Sequence, residues 1–63
     1  MSDQHVYEYE VSQEDGGWLV HVPELGLTAQ ARHLRETLGK ARSIISLHLA
    51  VDPAEVFVWR SKY

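Results

Sequence analysis

Strict alternation of apolar and polar residues near the N-terminus leaves this chain little freedom in how it folds. Val6-Tyr7-Glu8-Tyr9-Glu10-Val11 switches character at every residue and is rich in strand formers. Successive strand side chains point to opposite faces, so Tyr7, Tyr9 and Val11 share one face while Val6, Glu8 and Glu10 share the other. Asp15-Gly16 comes next, a strong two-residue hairpin signal in which both central residues are expected at positive φ. With that turn, Glu14 faces Gly17, Gln13 faces Trp18, Val11 faces Val20 and Tyr9 faces Val22. The apolar halves of the two strands then coincide without adjustment. Glu10 falls opposite His21 on the outer face, in position for a cross-strand charged pair.

Pro23 ends the second strand because proline has no amide to donate to the ladder. Glu24-Leu25-Gly26 forms a turn, and Leu27 to Ala31 is long enough for a short third strand. A helix is expected from about Leu34 to Val51, where Leu34, Leu38, Ala41, Ile45, His48 and Leu49 recur at helical spacing. Arg35, Gly39, Arg42 and Ser46 fall on the opposite side and are expected to face water. Ile44, Leu47 and Val51 lie on a flank outside that stripe, which one sheet cannot easily cover; such a flank is a candidate contact surface. Asp52-Pro53 breaks the helix. Glu55 to Arg60 reads as a last strand, with Val56 and Val58 on one face and Phe57 and Trp59 on the other. Strands apolar on both faces are usually buried on both sides. The fold class is therefore α+β: a three-stranded antiparallel sheet followed by one helix and a fourth strand, in a single domain over residues 1–63.

Size makes the apolar flank important. A chain of 63 residues buries only about 60% of the surface it exposes when unfolded, and domains this small usually need reinforcement. With no cysteine in the sequence, disulfides and thiolate metal sites are excluded, which leaves self-association or a partner. A composition 44% hydrophobic and 24% charged is that of a folded domain, so reinforcement rather than disorder is the issue. The net charge of -3 disfavours direct nucleic-acid binding and favours a basic protein partner. The polar, acidic start "MSDQHVYEYE" does not read as an export signal, and Ile44 to Val51 is too short for a bilayer; no membrane association and a cytoplasmic location are the expectation.

Side chains that carry chemistry are present but scattered. The four histidines form no i, i+4 pair or facing trio, so no metal site is expected, and His48 on the apolar stripe reads as a partly buried structural residue. Glu8, Glu10 and Glu24 do not assemble the tight acidic cluster that two-metal nuclease chemistry requires, so no catalysis and no cofactor are expected. Tyr7, Tyr9 and Trp18 fall on the core side, which disfavours a base-stacking platform. Arg32, Arg35 and Arg42 read as a solvated basic strip.

In order along the chain, Tyr-x-Tyr-x-Val, then Glu-Asp-Gly-Gly-Trp, then Val20-x-Val22-Pro23-Glu24-Leu25, then Gly26, Leu27, Thr28 and Gln30, with a helix from Leu34 carrying Glu36, resembles the HicB-like antitoxin domain of type II toxin–antitoxin systems. The resemblance spans nearly the whole chain. It implies a partial ribonuclease H-like fold with the last strand parallel to the first. It also implies binding and neutralisation of a small basic toxin ribonuclease, commonly as a dimer or higher oligomer. A non-catalytic, antitoxin-like protein-binding module, or an orphan relative of one, is the functional expectation; the alternative is a self-assembling structural or regulatory module that binds another ligand. The residues expected at a partner or oligomer interface are Ile44, Leu47, Val51, Phe57, Trp59, Glu8 and Glu10.

Overall fold

The computed structural model describes residues 5–61; the two ends of the expected 1–63 domain lie outside the described residues. Strand β1 spans Val6–Glu14, β2 Gly17–Val22 and β3 Leu27–Ala31; helix α1 spans Thr37–Leu49, and β4 spans Phe57–Arg60. A 3₁₀ turn over Leu34–Glu36 precedes α1 and another over Pro53–Glu55 precedes β4. The four strands form one mixed sheet in the order β3-β2-β1-β4. β1 is antiparallel to β2, β2 is antiparallel to β3, and β4 runs parallel to β1. The result is α+β, with α1 on one face of the sheet.

The hairpin register is the one alternation dictates, with Glu14 opposite Gly17, Gln13 opposite Trp18, Val11 opposite Val20 and Glu10 opposite His21. The turn differs in one respect. Among the described residues only Gly16, Gly26 and Ala50 have positive φ, so Asp15 does not need it and glycine is required at the second central position alone. Gly17 carries a different constraint: a Cβ there would lie 2.5 Å from the carbonyl oxygen of Ala31. The β2–β3 turn closes through hydrogen bonds from Leu25 N to the Val22 carbonyl and from Gly26 N to that of Pro23.

The core joins the inner sheet face to α1: Tyr9, Val11, Val20 and Val22 pack with Ala41, Ile45 and Val56. Tyr7, Trp18, Leu27, Ala29, Ile44 and Val58 pack around them. Alternation places the strand residues correctly, but the helix stripe is rotated from its expected position. Thr37, Ala41, Ile45 and Ser46 are the buried positions of α1, whereas Leu34, Leu38, His48 and Leu49 are exposed. Leu34 lies in a 3₁₀ turn, wound more tightly than an α-helix, and so falls outside the phase of α1, while within α1 the face turned to the sheet is centred between Thr37, Ala41 and Ile45. Thr37 donates its Oγ1 hydrogen bond to the Leu34 carbonyl at 2.7 Å and seals the junction. Ser46, expected in water, is instead buried and donates to the Ser43 carbonyl, which satisfies its hydroxyl. Arg42 also leaves the solvated strip; its guanidinium donates to the Pro53 carbonyl at 3.1 Å and ties α1 to the turn before β4.

The helix stops before Asp52-Pro53 is reached. Ala50 takes a left-handed conformation at φ 59°, and both it and Val51 donate their amides to the Ser46 carbonyl, the pattern of a Schellman-type terminus. Asp52 then accepts a hydrogen bond from Ala54 N at 2.9 Å and starts the short 3₁₀ turn. That turn occupies Glu55, so β4 begins at Phe57 and is shorter than the expected Glu55–Arg60 strand.

Candidate protein-binding face

Register decides which side chains share the uncovered side of the sheet. Inner positions Val11, Val20 and Ala29 lie in one row, so the rows on either side of it face outward: Glu10, His21 and Thr28, and Ser12, Leu19 and Gln30. On the parallel side, Val6 lies beside Phe57 and Glu8 beside Trp59. Val6, Glu8, Glu10, Phe57 and Trp59 therefore occupy neighbouring positions on one outward face, opposite the helix.

This face combines apolar area with negative charge. Trp59 is 52% exposed and Phe57 41%, against 4% for Val56 on the inner side. The two-sided apolar pattern predicts a strand buried on both faces. β4 lies instead at the edge of the sheet, where no helix covers its aromatic side. Glu10 approaches His21 Nδ1 at 3.3 Å, and each side chain keeps a little under half of its surface in solvent. Such an exposed pair is screened and contributes at most about 1 kcal/mol. Glu8 is half-buried between its neighbours Val6 and Trp59.

The remaining expected interface residues lie elsewhere. Ile44 is half-buried and packs against the core, which leaves only part of it exposed. Ile44 and Leu38 lie on opposite flanks of the Ala41 and Ile45 row, so a helix face turned toward Ile44 leaves Leu38 outside. Leu47 on α1 is 79% exposed, and Val51 lies just past the helix terminus. Val51 joins Leu49, Val56, Phe57, His5 and Tyr7 around an open groove of about 420 Å³ beside the start of β4. Sequence reasoning missed this groove because it depends on where α1 ends, which the left-handed Ala50 determines. It also missed the contact of His5 Nε2 with Glu24 at 2.8 Å, which bridges the start of β1 to the β2–β3 turn. Nineteen residues separate the two in sequence, so no local pattern announces the pair.

A second groove, of about 430 Å³, lies at the hairpin end, where Glu14, Asp15, Arg32, Glu36 and Lys40 converge near Trp18. Three carboxylates and two cations line it, so its charges nearly cancel. Among the described residues no group of three or more His, Asp or Glu side chains is placed to hold a metal ion. Among them, too, no helix is long and apolar enough to cross a membrane. No protein-family model matches this chain, and no curated protein or solved structure matches it either.

Proposed function

We propose that this domain is a non-catalytic protein-binding module of the antitoxin type, whose open sheet face receives a small basic protein, a toxin ribonuclease being the partner that the sequence resemblance implies. One observation carries the reading: Glu8 and Glu10 lie beside Phe57 and Trp59 on the side of the sheet that α1 leaves bare. Aromatic side chains are frequent binding anchors, and neighbouring carboxylates select a basic surface and speed its approach. The β3-β2-β1-β4 order, with β4 parallel to β1, supports reading the fold as a partial ribonuclease H-like arrangement. The absence of cysteine is compatible with a reducing, cytoplasmic setting.

The test is co-purification with the product of the adjacent gene, followed by calorimetry with two variants. Trp59→Ala is expected to weaken binding by about 2 kcal/mol or more, as for a buried aromatic anchor. Glu8→Lys combined with Glu10→Lys is expected to slow association and to invert its salt dependence. A neighbour that encodes no small basic protein, or a partner indifferent to both variants, refutes the proposal.

A further inference from the structure

The groove at the start of β4 holds apolar area that the fold leaves uncovered. Val56 and the half-buried Tyr7 line it from the helix side of the sheet, and Leu49 and Val51 line it from the end of α1. Leu49, Val51 and Phe57 each keep more than a third of their surface in solvent there. Such an opening favours a hydrocarbon chain over water. At about 420 Å³ it suits one long side chain rather than a whole helix or strand.

Polar groups decide what that chain must carry at its end. The His5 ring at the groove is already engaged with Glu24 at 2.8 Å and stands edge-on to Tyr7, with ring centroids 4.4 Å apart. Glu55 is different: it lines the groove, is exposed and forms no ion pair among the described residues. Arg42 reaches the Pro53 carbonyl in the same 3₁₀ turn but is not a lining residue, and no lysine or arginine among the described residues is. The fitting occupant is an aliphatic stem that ends in a cation. We propose that the groove receives an arginine side chain of the basic partner, its stem along Leu49 and Val51 and its guanidinium paired with Glu55 beside the Tyr7 and Phe57 rings. Arginine lays its stem on apolar surface while its head stays wet. Its guanidinium also stacks on aromatic rings and meets a carboxylate through two parallel hydrogen bonds, which the ammonium of lysine does not do.

Phe57 connects the groove to the open face. It stands beside Val6 in the outward row next to that of Glu8 and Trp59, and it also lines the groove. A chain seated over Glu8 and Trp59 therefore has only to pass the Val6–Phe57 end of the sheet to reach Glu55. A second copy of this chain is a poorer occupant, because it carries the same net charge of -3. The source of the arginine rests on the basic-partner reading, whereas the chemistry of the groove is tested without that partner.

The probe is n-butylguanidinium, which reproduces the arginine side chain from Cα outward, titrated into the full chain and followed by amide NMR shifts. The amides of Leu49, Val51, Ala54, Glu55 and Phe57 are expected to shift together and saturate at millimolar probe. Uncharged n-butylurea, of the same shape, is expected to bind about two- to fivefold more weakly, the loss that an exposed ion pair allows. That comparison needs no variant to fold. Glu55→Gln is expected to weaken the guanidinium by the same factor and to leave the urea unchanged, and n-butylammonium is expected to bind less well than n-butylguanidinium. With the partner itself, Glu55→Gln is expected to raise Kd by about two- to fivefold as well. Shifts that do not saturate, that centre on Glu8 and Glu10, or that are equal for urea and guanidinium overturn the proposal. So do nuclear Overhauser contacts showing the groove filled by residues 1–4 or by a second copy, and a partner indifferent to Glu55→Gln. If those results come while Trp59→Ala and the Glu8 and Glu10 reversals still weaken the partner, the groove assignment falls alone. A groove that titrates as expected beside a partner indifferent to those open-face variants removes the basic-partner reading, and the source of the arginine with it.

Discussion

Alanine substituted at three glycines should give three different outcomes, because each glycine is required for a different reason or for none. At Gly17 the added Cβ would meet the Ala31 carbonyl oxygen at 2.5 Å. An ordinary contact is nearer 3.4 Å, so the start of β2 and the end of β3 must separate by roughly 1 Å. That movement strains the pairing of Trp18 with Ala31. Losing one or two ladder hydrogen bonds at about 1 kcal/mol each, with some loss of packing at Trp18, gives about 2–3 kcal/mol of destabilisation. At Gly16 nothing lies within 4 Å, but φ is +79°, and a left-handed alanine costs about 1–2 kcal/mol. At Gly39, inside α1, nothing lies within 4 Å and φ is ordinary, so alanine should stabilise the helix by up to about 1 kcal/mol. A domain of 63 residues is expected to hold only about 3–9 kcal/mol in all, so Gly17→Ala would remove a large share. Urea denaturation followed by tryptophan fluorescence, with m-values checked for constancy, measures all three. Gly17→Ala as stable as wild type would refute the close approach of β2 and β3. Gly39→Ala less stable than Gly16→Ala would refute the ranking as a whole.

Ala50 sits at φ 59° at the end of α1, so Ala50→Gly should stabilise the domain by about 0.5–1 kcal/mol, seen as a rise in Tm of a few degrees. Ile45→Ala should cost about 2–5 kcal/mol, since Ile45 is fully buried, whereas Leu47→Ala should stay within about 0.5 kcal/mol; equal losses in thermal denaturation would mean that the helix phase is wrong. Thr37→Val should cost about 1 kcal/mol by deleting the bond to the Leu34 carbonyl. Its far-UV spectrum should show fraying confined to the first turn.

How much of this was legible depended on range. β1, β2, their register and the inward row of Tyr9, Val11, Val20 and Val22 came from a period of two and one turn, all within seventeen residues of sequence from Val6 to Val22. A strand has only two faces, so a correct turn leaves no further choice. The helix was less forgiving. Leu34 looks like a core residue at helical spacing, but nothing local signals that Leu34–Glu36 is wound tighter, and Leu38 falls on the flank of α1 that the sheet does not cover. Burial of Thr37 and Ser46 was hidden for a related reason, because each polar group is satisfied by a carbonyl three residues back. Of the expected interface set, Glu8, Glu10, Phe57 and Trp59 came together on one face, since alternation fixed both strands independently. Ile44 is half-buried against the core, and Leu47 remains outside on the helix.

The pairing of the last strand with the first has a consequence for how the molecule assembles. Val6 waits for Phe57, whereas β1, β2 and β3 can close on one another through tight turns. Long-range closure is slow, so during that interval the rim of β1 is bare and could capture a neighbouring chain. Glu8 and Glu10, alternating along it, repel a second copy of β1 and would keep nascent molecules apart until Phe57–Arg60 arrives. Replacing both by threonine should therefore increase aggregation on refolding more than it lowers equilibrium stability; refolding yields that do not fall would remove this protective role.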